Sequence, residues 1–166
     1  MRRLILLASL ALAVGVLLPA SALPAVGGSD LPIKGTGTGT TTLNLATGEA
    51  HLVTTGSLSH FGLVTWEQHG LVLPTGPGTF SFNTTWTVTA ANGDQMFGTF
   101  SGTGILAADG IHSTWSVNGV STGGTGRFAD ASLTLAATVA ATRTSVEGTI
   151  VSSTHVAEVV GQLSYR

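Results

Sequence analysis

Between Thr79 and Ala90 the chain alternates with a period of two. Phe80, Phe82, Trp86, Val88 and Ala90 share one parity, with Thr84 the polar exception, while Thr79, Ser81, Asn83, Thr85, Thr87 and Thr89 fill the other. Successive side chains of an extended strand point to opposite faces, so this pattern predicts a strand with one buried and one wet face. Asn92-Gly93 follows, a pair that favours a two-residue type I′ reversal because both central residues of that turn need positive φ. The predicted return strand, Gln95 to Leu106, places Met96, Phe100 and Leu106 on the apolar parity together with Gly98, Gly102 and Gly104. Glycines on a buried face predict close approach or bending, as a closing barrel requires.

The same grammar runs through the rest of the chain. Gly35 to Leu43 alternates glycine with threonine, Asn44 to Gly48 reads as a turn, and Glu49 to Ser57 as a second strand. Ser59-His60-Phe61-Gly62 reads as a short break in which the His60 side chain caps its own loop. Leu63 to Leu73 is a third strand with Val64 and Trp66 on one face and Thr65, Glu67 and His69 on the other. Pro74-Thr75-Gly76-Pro77-Gly78 reads as a loop, since prolines and glycines so dense do not sustain a ladder. After the Asp109-Gly110 turn comes Ile111 to Val120, with Ile111, Trp115 and Val117 on one side. Leu133, Leu135, Ala137, Val139 and Ala141 alternate with polar residues in the next strand. A short strand around Val146, Gly148 and Ile150 and a last one from Val159 to Tyr165 end the chain. About eight strands at hairpin spacing predict an all-β fold, an antiparallel barrel in preference to a sandwich.

Residues 1–22 stand outside this pattern. A basic start (Met1-Arg2-Arg3), an uncharged apolar run from Leu4 to Leu18 and a small-residue end at Ala20-Ser21-Ala22 form the layout of a cleaved secretory signal peptide. The run is shorter than the roughly 20 residues a spanning helix needs. The expected organisation is therefore signal peptide 1–22, flexible leader 23–32 and one barrel domain 33–166, secreted and not inserted in a membrane after cleavage. The mature chain keeps four bases (Lys34, Arg127, Arg143, Arg166) against eight acids. That balance argues against a nucleic-acid partner, which needs clustered Lys and Arg. The chain has no cysteine, so packing and strand pairing alone must hold it.

Thr122-Gly123-Gly124-Thr125-Gly126-Arg127-Phe128-Ala129 resembles the corner of the allene oxide cyclase and dirigent barrel superfamily, a calycin-like group that includes small secreted bacterial barrels. Ser59-His60-Phe61-Gly62, Ala91-Asn92-Gly93-Asp94-Gln95 and Gly161-Gln162-Leu163-Ser164-Tyr165 are similar to other elements of those bacterial proteins, in the same order. Ala129-Asp130-Ala131-Ser132-Leu133 departs from their usual continuation, and Phe61 stands where leucine is usual. The resemblance implies an eight-stranded barrel with an apolar interior, and oligomers as in its plant branches. The plant enzymes steer a reactive oxylipin or radical inside the barrel; no pocket residue of theirs matches here position by position.

Candidate chemistry is sparse. Phe82, Trp86, Phe100 and Trp115 fall on the inward parity and are the expected lining of a site for a small apolar ligand. Gly124, Gly126, Arg127 and Asp130 form either an anion site or a structural corner, the latter with an Arg127–Asp130 salt bridge and Phe128 plugging one barrel end. Glu67 and His69 share a face and could supply two metal ligands, but no spacing singles out a third among His51, His60, His112 and His155, so no metal is expected. Gly35 to Leu43 lacks the helix and the Gly-Lys-Ser/Thr ending of a phosphate loop, and no Gly-x-Ser-x-Gly elbow exists. No catalytic residue and no cofactor are assigned. The expected function is binding of a small apolar molecule, or an interaction module associating with itself or another surface. The rivals are a cyclase or isomerase steering a reactive apolar substrate, and a purely structural exported protein. Phe97 and Ile105, apolar on the polar parity, mark a surface for a homo-oligomer.

Overall fold

The computed structural model describes residues 30–165. The expected signal peptide and most of the leader lie outside the described residues. Eight strands follow in order: β1 (Asp30–Asn44), β2 (Glu49–Leu58), β3 (Gly62–Gly76), β4 (Thr79–Ala90), β5 (Gln95–Leu106), β6 (His112–Gly124), β7 (Ala131–Glu147) and β8 (Ile150–Tyr165). Each pairs antiparallel with the next, and β8 returns to β1 to close the barrel. Closure leaves no unpaired sheet edge among the described residues, which removes the route to edge-to-edge association.

Alternation sorts the side chains as expected. Phe82, Thr84, Trp86, Val88 and Ala90 are buried inside, and the threonines of the other parity lie on the outer wall. Four inward glycines of β5 and β6 each have a specific partner, a ring on the neighbouring strand. Trp86 sits opposite Gly98, Phe82 opposite Gly102 and Phe80 opposite Gly104 across β4–β5, and Phe100 opposite Gly119 across β5–β6. A Cβ on Gly98 or on Gly102 would come within 2.6 Å of its facing ring. The rings lie over bare backbone, which restores the buried area a strand glycine forfeits.

The two ends differ. The β2–β3, β4–β5 and β6–β7 connections form a closed end, filled by Ile33, Leu58, Phe61, Met96, Phe128, Leu133 and Leu163, all buried. The β1–β2, β3–β4, β5–β6 and β7–β8 connections surround an open end. There Asp109 accepts hydrogen bonds from the backbone N–H groups of Ile111 and His112 and from the His112 ring. The ring contact is the main reason its carboxyl titrates well below the usual carboxylate range.

Several sequence expectations need correction. The Asn92-Gly93 reversal is not type I′: Gly93 alone has positive φ, 87°, and its N–H donates to the Ala90 C=O at 2.9 Å. Asn92 instead spends its side chain on Asp94, donating from Nδ2 at 2.7 Å. The break before β3 is capped by Ser59 rather than His60. Its hydroxyl accepts from the Lys34 N–H and donates to the Pro32 C=O, while His60 occupies the left-handed region at φ 67°. Pro74 and Gly76 belong to β3 and pair with Phe80 and Thr79. That stretch runs past the end of β2, so a proline there interrupts no second ladder. Barrel pairing starts at Asp30, opposite Ser164, ahead of the expected boundary at residue 33. Finally, Gly148 is a turn residue at φ 60°, and β7 and β8 are each continuous across the segments read as irregular.

Candidate functional site

The open end leads into a cavity of about 510 Å³ inside the barrel. Its wall is mainly apolar: Leu52, Val64, Trp66, Phe82, Phe100, Trp115, Val117, Val139 and Val159 line it. Trp66 and Phe100 form the floor and rest on Trp86 one layer below, with ring centroids 5.4–5.7 Å apart in every pairing of the three. The indole N–H groups of Trp66 and Trp86 have no hydrogen-bond partner, so packing alone holds these rings. Below the floor the closed end is solid. The void persists above it because small inward residues, Gly37, Gly56, Ala137 and Ala157, leave space there.

Three of the four expected lining aromatics, Phe82, Phe100 and Trp115, reach the cavity. Trp86 does not; it lies one layer deeper, over Gly98, and supports the floor rings. Trp66 takes its place on the lining. Its inward parity was visible in the sequence, opposite Glu67 and His69.

His155 is the group that the sequence reading missed. It projects inward from β8 opposite Gly39, is 4% exposed, and lines the cavity. Thr54 Oγ1 lies 2.7 Å from its Nε2 and Thr41 Oγ1 lies 3.0 Å from its Nδ1. Both threonines are buried and line the same cavity. The signal was present: continuing the parity of Val159, Gly161 and Leu163 back along the strand places His155 inside. The polar run Ser152-Ser153-Thr154 concealed it, because Ser153 also lines the cavity. On the opposite wall Thr84 Oγ1 faces Gln68 Oε1 at 3.5 Å, and Arg143 stands among the mouth residues with Leu45, Leu106 and Ile111.

Burial pushes the pKa of His155 below the ordinary 6.5. The folded protein therefore holds the ring neutral in a pH window where the unfolded chain takes up a proton, and stability is lost as pH falls through 6.5. The expected result is a lower melting temperature at pH 5.5 than at pH 7.5, with the difference reduced in His155→Gln. An equal difference in that variant would assign it to other groups. No charged group lines this part of the wall; Arg143, on the adjoining β7, is nearer the mouth.

The corner at residues 123–131 is built into the closed end. Gly126 begins a single 3-10 turn, Gly126–Phe128, at φ 55°. The Phe128 ring stacks on Phe61 at 4.3 Å. Arg127 lies over the Phe128 ring at 4.7 Å and donates to the Phe61 C=O at 3.1 Å. Its acidic neighbour is Asp94, at 3.7 Å, and not the expected Asp130. The short turn sends the Arg127 side chain towards the β4–β5 hairpin, while Asp130 is left exposed. Asp94 also accepts from the Arg127 N–H at 3.3 Å, and a Cβ on Gly126 would strike the same carboxylate. Asp94 thus occupies the seat an external anion would need. Gly124 packs against Phe128, with no room for a side chain.

Glu67 and His69 lie on the outer wall. His69 stacks on His51 across β2–β3 with ring centroids 4.1 Å apart. Among the described residues no group of three His, Cys, Asp or Glu side chains is placed to hold a metal ion. The strand carboxylates Glu49, Glu67, Glu147 and Glu158 are exposed, and none lines the cavity. The chain matches no protein-family profile, no curated protein and no solved structure.

Proposed function

We propose that this is an exported barrel that holds a small apolar molecule in its interior. The observation that carries the reading is the cavity of about 510 Å³, apolar over most of its wall and open at one end. That volume lies in the range of small-molecule sites, and a few placed polar groups in an apolar wall are what such sites contain. A purely structural barrel would gain from filling the void, since unfilled core volume costs stability. Export rests on the layout of residues 1–22. The four ordered motifs, together with eight-stranded closure, support kinship with the allene oxide cyclase and dirigent barrels. Self-association rests on Phe97 and Ile105, both exposed on the outer wall.

A second reading, an isomerase or cyclase acting on a reactive apolar substrate, is favoured by one observation. His155 is a titratable group turned into the cavity and flanked by two hydroxyls. Such a group can move a proton to or from a substrate seated beside it.

The test is native mass spectrometry of protein purified gently from its own medium. The expected spectrum shows a chain beginning at Leu23, more than one copy per particle, and a retained small molecule released on activation. An empty barrel that also fails to take up N-phenyl-1-naphthylamine would overturn the binding reading.

A further inference from the structure

We infer that the ligand of this cavity is an apolar molecule carrying an oxygen acceptor, a ketone or a comparable carbonyl, and that the Thr41–His155–Thr54 array reads that oxygen. The inference deepens the carrier reading and rests on it.

A neutral imidazole has one N–H and one lone pair, and each threonine has one O–H. In either tautomer the ring donates to one hydroxyl and accepts from the other. The three groups therefore hold three protons and use two of them among themselves. One hydroxyl proton is left over, on Thr41 or on Thr54 according to the tautomer. Neither hydroxyl has any other partner among the described residues. Both threonines and the histidine are more than nine-tenths buried, so the spare donor is turned away from the outer wall and towards the cavity. All three line the cavity. A buried donor without an acceptor is costly, and natural structures rarely leave one. Of the other polar groups of the wall, the Trp115 N–H donates to Ser113 at 2.9 Å and Thr84 faces Gln68, while the buried Trp66 N–H has no partner.

The tautomer gives the array a further property. Moving the ring proton from one nitrogen to the other transfers the free donor from one threonine to the other. The acceptor oxygen can therefore dock beside either hydroxyl with the ring fixed over Gly39. A site of this kind favours the oxygenated form of an apolar compound over its hydrocarbon counterpart, because the hydrocarbon leaves the donor unpaired.

The test uses two probes of nearly equal shape, 2-acetonaphthone and 2-isopropylnaphthalene, each displacing N-phenyl-1-naphthylamine from the full mature protein. The ketone is expected to bind about tenfold tighter, and Thr41→Val/Thr54→Val/His155→Leu, which also removes the imidazole N–H that two valines alone would leave free, is expected to remove that preference. A second measurement needs no variant: the carbonyl stretch of bound 2-acetonaphthone should lie below its frequency in hexane. Equal affinities in the wild type, a preference that survives in the triple variant, or an unshifted stretch would each overturn the inference and leave the carrier reading standing. Binding of neither probe would take down both.

Discussion

Replacing Phe128 with alanine is expected to destabilise the barrel by about 3–5 kcal/mol, the cost of emptying a large buried aromatic site. Phe128 is 0% exposed and fills the centre of the closed end. It cannot be replaced by local collapse, because its surroundings are held from three directions. Phe61 stacks on one side, Arg127 lies over its ring, and the ladder bond from Thr125 N–H to Gln95 C=O, 2.8 Å, pins the turn that carries it. Deleting the ring leaves a void in the core cluster that also holds the buried strand residues Met96, Leu133 and Leu163. Such a loss is a large share of the 5–15 kcal/mol that stabilises an ordinary domain. Urea denaturation followed by tryptophan fluorescence reads it directly. Phe128→Leu should recover more than half of the loss. A cost below about 1 kcal/mol for the alanine variant would mean that the corner is not the cap of the barrel, and would reopen its reading as a binding site.

The second large effect concerns binding rather than folding. Ala157→Phe is expected to weaken N-phenyl-1-naphthylamine binding by roughly tenfold or more, about 1.4 kcal/mol, while the barrel still folds. Ala157 lies on β8 between Gly37 on β1 and Val139 on β7. It faces the cavity beside His155 and Val159. A phenyl group there grows into the void instead of into packed neighbours, so it competes with the ligand and adds little strain. A circular dichroism spectrum and melting temperature close to wild type separate exclusion from unfolding. Unchanged affinity with unchanged fold would place the ligand elsewhere on the molecule.

Much of the architecture was legible because a strand's period is two and every misplacement flips a side chain between core and water. The Phe80 to Ala90 pattern, the glycines of β5 and the turn at Asp109-Gly110 each constrain the backbone locally, so each could be read without neighbours. Phe82, Phe100 and Trp115 were legible as inward for the same reason. Where reading failed, the deciding contact was not local. Pro74 joins β3 because β2 has already ended beside it. Arg127 turns to Asp94 because the β4–β5 hairpin stands against the corner. The type I′ turn is the exception, a local one: the Asn92 side chain found its partner two residues on, in Asp94.

The site divides in the same manner. Parity decided that Trp86 is inside. Depth along the barrel axis, which decides whether an inward residue meets a ligand or other side chains, depends on the stagger of eight paired strands and is not written in any one of them. The Thr41, Thr54 and His155 side chains are far apart in sequence, at 114 and 101 positions of separation. Only closure of β8 onto β1 brings them together. The sequence by itself determined the strands and their inward faces, since these follow from local periodicity. Only the tertiary structure decided that one end is plugged and the other open, and that a neutral histidine stands in the apolar wall between two hydroxyls, because both depend on register between strands distant in the chain.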